Sequence, residues 1–160
     1  MSRHTPAPLE IDGRRLSFGV VASRYNPDLV DALLQRVLDE LAAAGVAERN
    51  VAVLRVPGSH EVPVAAGWLA RSGADTVIAL GVLVGGDTNH HEMVGQSVSQ
   101  ALQEVALATD VPVINGVVVT DTWKQAEARC TGKVNRGLEF ARAALEMAAL
   151  RRSLTGGKKR

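Results

Sequence analysis

One short segment near the middle of the chain combines the residue types of an anion site with those of acid–base chemistry. Residues 85–92 read GGDTNHHE and follow an apolar run from Thr76 to Val84. Glycines let a ligand approach the backbone, and the free N–H groups of a helix that begins here would attract an anion. Histidine carries protons near neutral pH. The segment therefore predicts a phosphate-binding site with a proton-transfer residue.

Two adjacent histidines within this segment raise the alternative of a metal site. Neighbouring positions of a helix point about 100° apart, so His90 and His91 cannot share an ion as an i, i+4 pair does. We therefore expect no metal ion here. We also expect His91 to point away from a site that contains His90.

Polar side chains follow the other apolar runs of the chain as well. Because the carboxyl ends of parallel strands lie at one edge of a sheet, these groups should converge. They are Tyr25 and Asn26 after the first run, Ser59, His60 and Glu61 after the second, and Asn115, Thr120 and Asp121 within and after the fourth.

Structural roles remain open for some of these side chains. Asn26 stands directly before a Pro-Asp pair, which is typical of a helix start, so its side chain can cap the helix, bind a ligand or do both. Ser59 and Glu61 can simply begin the next helix. Tyr25, the only tyrosine, can fill a surface groove.

The elements that must position these residues alternate between strand-like and helix-like patterns. Largely apolar strands are predicted at 18–22, 51–56, 76–84 and 112–120, and helices at 27–44, 62–71, 94–106, 121–129 and 135–150. Apolar strands that alternate with helices predict a three-layer α/β sandwich with a central four-stranded parallel sheet. We expect one domain over residues 1–160, with 1–15 as an N-terminal extension and 153–160 as a disordered tail.

Composition restricts the class of protein. The chain has 160 residues, 46% of them hydrophobic, and a formal net charge of +1, which disfavours nucleic acid as a partner. No apolar run approaches the ~20 residues that span a bilayer, so we expect no membrane association. The single cysteine, Cys130, excludes an internal disulfide and favours a buried thiol in a reducing compartment. We expect a cytoplasmic protein.

Five ordered motifs between residues 10 and 152 resemble those of the lumazine synthase family. They are Ser-Arg-Tyr-Asn at 23–26, Val-Pro-Gly-Ser-His-Glu-Val-Pro at 56–63, Gly-x4-Gly-x-Thr-x-His at 81–90, Thr-x2-Gln-Ala-x2-Arg at 122–129, and Asn-Arg-Gly-x-Glu at 135–139. Several motifs in the family's order and spacing make the resemblance specific.

The resemblance implies a flavodoxin-like fold and a transferase of riboflavin biosynthesis. The implied reaction condenses 5-amino-6-(D-ribitylamino)uracil with 3,4-dihydroxy-2-butanone 4-phosphate to 6,7-dimethyl-8-ribityllumazine, releasing phosphate and water. The family uses neither a metal nor an organic cofactor. The alternative is a non-catalytic homologue that binds lumazine or flavin, or that forms a shell.

The resemblance also implies a role for each residue of the motifs. Substrate binding would involve Tyr25, Asn26, Val82, Leu83, Val84 and Asn115 at the pyrimidine, Ser59, His60 and Glu61 at the ribityl chain, and Asp87, Thr88 and Arg129 at the phosphate. His90, rather than His91, would transfer protons.

Four residues depart from the family's usual pattern. The family usually has arginine where Gly85 stands and a small residue in place of Asp87, so the phosphate corner carries less positive charge in this chain. Asn115 stands where a phenylalanine often covers the heterocycle, and Arg136 replaces a lysine, which keeps the charge but changes its geometry.

An oligomer follows from the same resemblance, since Arg129 would complete the site of a neighbouring subunit. A pentameric ring is the implied unit. The short turn at residues 131–134 favours an icosahedral shell of sixty subunits, whereas Pro6 and Pro8 favour free pentamers by hindering strand pairing between subunits. A riboflavin synthase is a candidate partner enzyme.

Overall fold

The computed structural model describes residue 4 and residues 6–156 and contains a parallel sheet between layers of helices. Within these residues the strands are β1 (Phe18–Ser23), β2 (Val51–Val56), β3 (Thr76–Val84) and β4 (Val113–Thr120). The α-helices are α1 (Pro27–Ala43), α2 (Val62–Arg71), α3 (His90–Thr109), α4 (Trp123–Cys130) and α5 (Gly137–Thr155). Short 3₁₀ turns cover Glu48–Asn50 and Ser59–Glu61.

The strands pair in the order β2-β1-β3-β4, and every pair is parallel. This is the flavodoxin-like order, in which the chain turns from one side of β1 to the other after β2. Ligands of such sheets bind at the carboxyl edge where the order reverses, which here lies between β1 and β3.

Alternate residues of the central strands enter two separate hydrophobic clusters. Val20 and Leu80 pack with α1 and α5 on one face, whereas Val21 and Ala79 pack with α2 and α3 on the other. The two clusters arise because successive side chains of a strand point to opposite faces. The predicted three-layer α/β sandwich is confirmed.

The last helix differs from its predicted bounds at both ends. The Asn135 side chain accepts a hydrogen bond from the Gly137 N–H at 2.8 Å and donates one to the Ala32 carbonyl at 3.2 Å, so it closes the turn before the helix. Helix α5 then continues to Thr155, which makes residues 153–155 of the predicted tail helical. Residues 157–160 lie outside the described part of the chain.

The remaining sequence expectations concern the thiol and the membrane. Cys130 is buried, as predicted, and burial raises the pKa of its thiol to about 11. A thiol that stays protonated at neutral pH is a poor nucleophile. None of the described helices is both long enough and apolar enough to cross a membrane.

Candidate functional site

A pocket of about 560 Å³ lies at the carboxyl edge of the sheet, where the segments after β1, β2 and β3 meet the first turn of α3. Its volume is within the range of small-molecule sites. The lining residues are Tyr25, Asn26, Gly58, Ser59, His60, Glu61, Val82, Leu83, Val84, Gly86, Thr88, His90, His91 and Val94.

The pocket floor exists because β3 extends beyond β1. Strand β1 pairs with β3 only as far as Leu80, whereas β4 pairs with β3 as far as Val84. Residues 81–84 therefore have no strand partner on the side that faces β1, and residues 82–84 line the pocket. A planar ligand with hydrogen-bonding edges could pair with this open edge as a strand would.

Asn26 ties the loop after β1 to the extended part of β3. Its side-chain Nδ2 donates a hydrogen bond to the Val82 carbonyl at 2.9 Å. Asn26 occupies the N-cap position of α1, but it has left-handed backbone angles, φ 53° and ψ 56°, and makes no side-chain cap hydrogen bond. The prediction that the Asn26 side chain can cap α1 is therefore wrong, because the side chain crosses the sheet edge to β3 instead.

Glu61 has the structural role that the sequence left open, and it also lines the pocket. Its Oε2 accepts a hydrogen bond from the Gly58 N–H at 2.8 Å and so closes the 3₁₀ turn Ser59–Glu61. The Tyr25 ring lies beside the same glycine, since a Cβ atom built on Gly58 would be 3.3 Å from Tyr25 Cδ2. Tyr25 is 71% exposed, which leaves a ring surface available to a ligand.

Two buried hydroxyl groups lie against the backbone of β3 at Gly81. A Cβ atom at Gly81 would be 2.5 Å from Ser59 Oγ and 3.4 Å from Ser23 Oγ. Neither hydroxyl has a hydrogen-bond partner among the described residues. Ser59 also lines the pocket, so its hydroxyl is a candidate contact for a ligand.

Gly85 allows an unusually close approach between the loop after β3 and the end of β4. Its N–H donates to the Thr120 carbonyl at 2.8 Å, and a Cβ atom at residue 85 would lie 2.5 Å from the Asp121 carbonyl oxygen. An arginine at this position would collide with that backbone. The glycine and the path of the segment after β4 thus depend on each other.

Ten of the thirteen residues that the sequence singles out line the pocket, and Asp87, Asn115 and Arg129 do not. Asp87 lies on the loop between Gly86 and Thr88, and both of these neighbours line the pocket. Asn115 donates to Ser99 Oγ at 3.2 Å and accepts from the Val117 N–H, so its side chain faces α3. Arg129 is half-buried on α4 and donates to the Gln125 carbonyl at 3.2 Å.

The sequence missed four of the lining residues. Gly58 and Gly86 lie inside the motifs, beside residues that are predicted to belong to the site, so their positions could have been predicted from those neighbours. From its sequence pattern Val94 is predicted only as a core residue of α3. It follows His90 by four positions, however, so both residues lie on one face of the helix. His91 also lines the pocket, contrary to the expectation that it points away.

One group of residues has the donor atoms of a metal site. The donor atoms of His91, Glu92 and Asp121 all lie within 4.8 Å of one another. His91 Nε2 is 3.6 Å from Asp121 Oδ1, which is longer than a hydrogen bond. The group includes His91 but not His90.

Proteins of one enzyme family resemble this chain over most of its length. The family described as 6,7-dimethyl-8-ribityllumazine synthase matches residues 15–152. A 6,7-dimethyl-8-ribityllumazine synthase from Aquifex aeolicus is 45% identical over 141 residues, covering 87% of this chain and 92% of that protein. Proteins of the same name from Thermobifida fusca (44% over 147 residues, covering 90% and 85%) and Pyrococcus furiosus (42% over 142 residues, covering 89% and 89%) are also similar.

Proposed function

Because the chain belongs to the 6,7-dimethyl-8-ribityllumazine synthase family, we propose that the pocket between β1, β3 and α3 is its active site. The chain is a transferase of riboflavin biosynthesis. It condenses 5-amino-6-(D-ribitylamino)uracil with 3,4-dihydroxy-2-butanone 4-phosphate to 6,7-dimethyl-8-ribityllumazine, with loss of phosphate and water. The observation that carries the assignment of the site is that one pocket gathers Tyr25, Glu61 and His90 around the open edge of β3.

The pyrimidine would bind along the open edge of β3. Residues 82–84 carry backbone groups there that β1 does not pair, of which the Val82 carbonyl already accepts from Asn26, and the ring of Tyr25 would stack on the heterocycle. Asn26 would hold the Tyr25 loop against β3 through its bond to Val82. Asn115, which the family resemblance assigns to the heterocycle, faces α3 within its own chain and would reach a pyrimidine only in a neighbouring subunit.

The ribityl chain would lie over the 3₁₀ turn after β2. Its hydroxyl groups need fixed acceptors and donors, which the Glu61 carboxylate, the Ser59 hydroxyl and the His60 segment would supply. The Glu61 carboxylate is held in place by the Gly58 N–H, so it would not have to be ordered when substrate binds.

The phosphate would bind at the loop before α3. Gly86, Asp87 and Thr88 precede the first turn of a 20-residue helix, whose N–H groups favour an anion. The described lining of the pocket contains neither lysine nor arginine. We assign the missing guanidinium to Arg129 of a neighbouring subunit, since Arg129 lies outside the pocket of its own chain.

His90 would transfer protons between the two substrates. Imine formation, loss of phosphate and ring closure each move a proton, and an imidazole suits these steps near neutral pH. Holding both substrates together would contribute much of the rate by itself. Removal of the imidazole should therefore slow the reaction without abolishing it.

The test is to mix both substrates with the purified chain and follow the fluorescence of the lumazine product. His90→Ala should slow turnover by roughly ten- to a thousandfold. His4→Ala is the matched control, because it removes an imidazole from a residue outside the pocket. A wild-type rate no higher than the uncatalysed rate would refute the activity, and equal rates for the two variants would refute the role of His90.

We assign a pentameric ring as the minimum active unit. Head-to-tail contacts that close into a ring let each subunit complete the site of the next. Trp68, Met93 and Trp123 are large and exposed in the single chain, which supports their burial by neighbours. The short turn before α5 favours sixty subunits, about 1 MDa, over five, about 85 kDa, from the 16.9 kDa chain.

Light scattering separates these masses by more than tenfold, and a fully active monomer would refute the shared site. A shell of sixty subunits would in turn provide a compartment for a riboflavin synthase. The cytoplasmic location stays a prediction.

A further inference from the structure

We propose that His91, Glu92 and Asp121 form a binding site for one divalent transition-metal ion, of which Zn²⁺ is the probe. The site lies at the edge of the pocket, where the first turn of α3 meets the segment after β4. Its effect on phosphate binding, described below, rests on the proposed function. The metal site itself does not.

The backbone brings these three residues together from distant parts of the chain. Strands β3 and β4 pair up to Val84 and Thr120, and the Gly85 N–H extends the contact to the Thr120 carbonyl. Asp121 follows directly, while His91 and Glu92 open α3 a few residues after Gly85. Although neighbouring helix positions point about 100° apart, the donor atoms of His91 and Glu92 lie within 4.8 Å of each other and of the Asp121 carboxylate. The absence of a side chain at Gly85 is what lets the Asp121 backbone come this close.

The imidazole of His91 is the strongest indication of a missing ligand. Its side chain is only 10% exposed, and neither ring nitrogen has a hydrogen-bond partner among the described residues. Buried polar groups are normally paired, because a lost partner is costly. The Asp121 carboxylate beside it is 77% exposed, so an ion can reach the site from solvent.

The distance between these two residues fits coordination better than a direct bond. The 3.6 Å from His91 Nε2 to Asp121 Oδ1 is too long for a hydrogen bond. Two donor atoms that each lie about 2.0–2.1 Å from a tetrahedral ion are about 3.4 Å apart. One imidazole and two carboxylates suit Zn²⁺ or Mn²⁺ better than Mg²⁺, which prefers oxygen alone.

The charge of this corner gives the ion a role. Asp87 is acidic and lies on the loop where the substrate phosphate would bind, and the acidic Glu92 and Asp121 lie where α3 begins and β4 ends. A divalent cation held by two of them would offset their charge. Three protein ligands would also leave one tetrahedral position for water or a phosphate oxygen.

Zinc binding to the metal-stripped full-length chain, measured by isothermal titration calorimetry, tests the site without any turnover. Asp121→Asn and His91→Ala should each weaken Zn²⁺ binding by about tenfold or more. Glu104→Gln is the matched control, because it removes the same charge from α3 three turns away and should leave Zn²⁺ binding unchanged.

The result that overturns the site is equal Zn²⁺ affinity in the wild type and Asp121→Asn. Since His91 is buried, circular dichroism should confirm that His91→Ala folds. If it does not, Glu92→Gln and Asp121→Asn, which change exposed carboxylates, decide the question. Mg²⁺ prefers oxygen ligands alone. If Mg²⁺ displaced Zn²⁺ at equal concentration, that result would refute the His91 imidazole as a ligand.

Substrate kinetics with and without a chelator test the link to phosphate. Zn²⁺ should lower the KM of the four-carbon phosphate by about fivefold and leave the KM of the pyrimidine unchanged. This difference should vanish in Asp121→Asn. Zn²⁺ binding with no change in either KM would uphold the metal site and refute its link to phosphate. Absence of any lumazine product would refute the proposed function instead, since calorimetry reports on the metal alone.

Discussion

Replacement of Asn26 should reveal how the edge of the pocket is held together. The side chain makes one hydrogen bond, from Nδ2 to the Val82 carbonyl at 2.9 Å, and the backbone is left-handed with φ 53°. Three substitutions separate these two features. Asn26→Ala removes the bond and disfavours the backbone, Asn26→Gly removes the bond and favours the backbone, and Asn26→Asp keeps the shape but cannot donate.

The magnitudes follow from the two contributions. A hydrogen bond of this kind contributes about 0.5–1.5 kcal/mol to the free energy of unfolding. Placing alanine in the left-handed region costs about 1–2 kcal/mol, whereas glycine adopts it without this cost. We therefore expect losses of about 2–3 kcal/mol for Asn26→Ala and about 1 kcal/mol for Asn26→Gly. Asn26→Asp should lose at least as much as Asn26→Gly, because its carboxylate would face a carbonyl oxygen.

The assay is equilibrium unfolding in urea at one fixed protein concentration, since association also affects apparent stability. Fluorescence of Trp68 and Trp123 reports the transition. Equal stability of Asn26→Ala and Asn26→Gly would refute the backbone reasoning. Wild-type stability in Asn26→Asp would show that the bond to Val82 contributes nothing.

Other predictions address the site, the sheet edge and the pH dependence of stability. Tyr25→Ala should weaken pyrimidine binding by about 1–3 kcal/mol, as loss of a stacking ring does, and a ligand-bound structure with the ring turned to solvent would contradict this. Arg129→Ala should raise the KM of the phosphate substrate far more than that of the pyrimidine, whereas equal changes would make Arg129 structural. Gly85→Ala should destabilise the fold by about 1–3 kcal/mol in urea, because its Cβ would meet the Asp121 carbonyl oxygen, and an unchanged midpoint would refute that contact. Burial raises the pKa of Asp75, but hydrogen bonds from Arg152 and Ser17 outweigh it and hold the pKa below its usual value. The resulting stability is present above about pH 4 and is lost as the pH falls through the lowered pKa, so Asp75→Asn should flatten the acid limb of a stability curve.

The element pattern was readable from the sequence because each local signal agreed with the fold. Helix α2 and strand β3 have their predicted bounds of 62–71 and 76–84. In both cases an apolar run ends at a residue that cannot continue it, such as Gly73 with its φ of +103° or the pair at 85–86. Thr122 likewise caps α4 with Gln125.

The side-chain errors have a different origin, because they depend on contacts between distant residues. Asn26 has the sequence context of a cap, and only the extension of β3 beyond β1 places the Val82 carbonyl within its reach. Asn115 lies outside the pocket of its own chain because its amide donates to Ser99 Oγ on α3, so its ligand role stays a prediction for a neighbouring subunit. Asn135 delays α5 by two residues because Ala32 and Gly137 both bind its side chain.

The difference in strand length explains why chemistry is concentrated at this one edge. Strand β3 has nine residues and β1 has six, and their register begins together at Thr76 and Phe18. The carboxyl end of β3 must therefore extend beyond β1, and the pocket lies along this free end. Asn26 closes its near end, Ser59 packs against Gly81, and Gly85 carries the chain onward to α3. If β1 were two residues longer, it would pair with the free end of β3, and the pocket would be lost even with every motif residue in place.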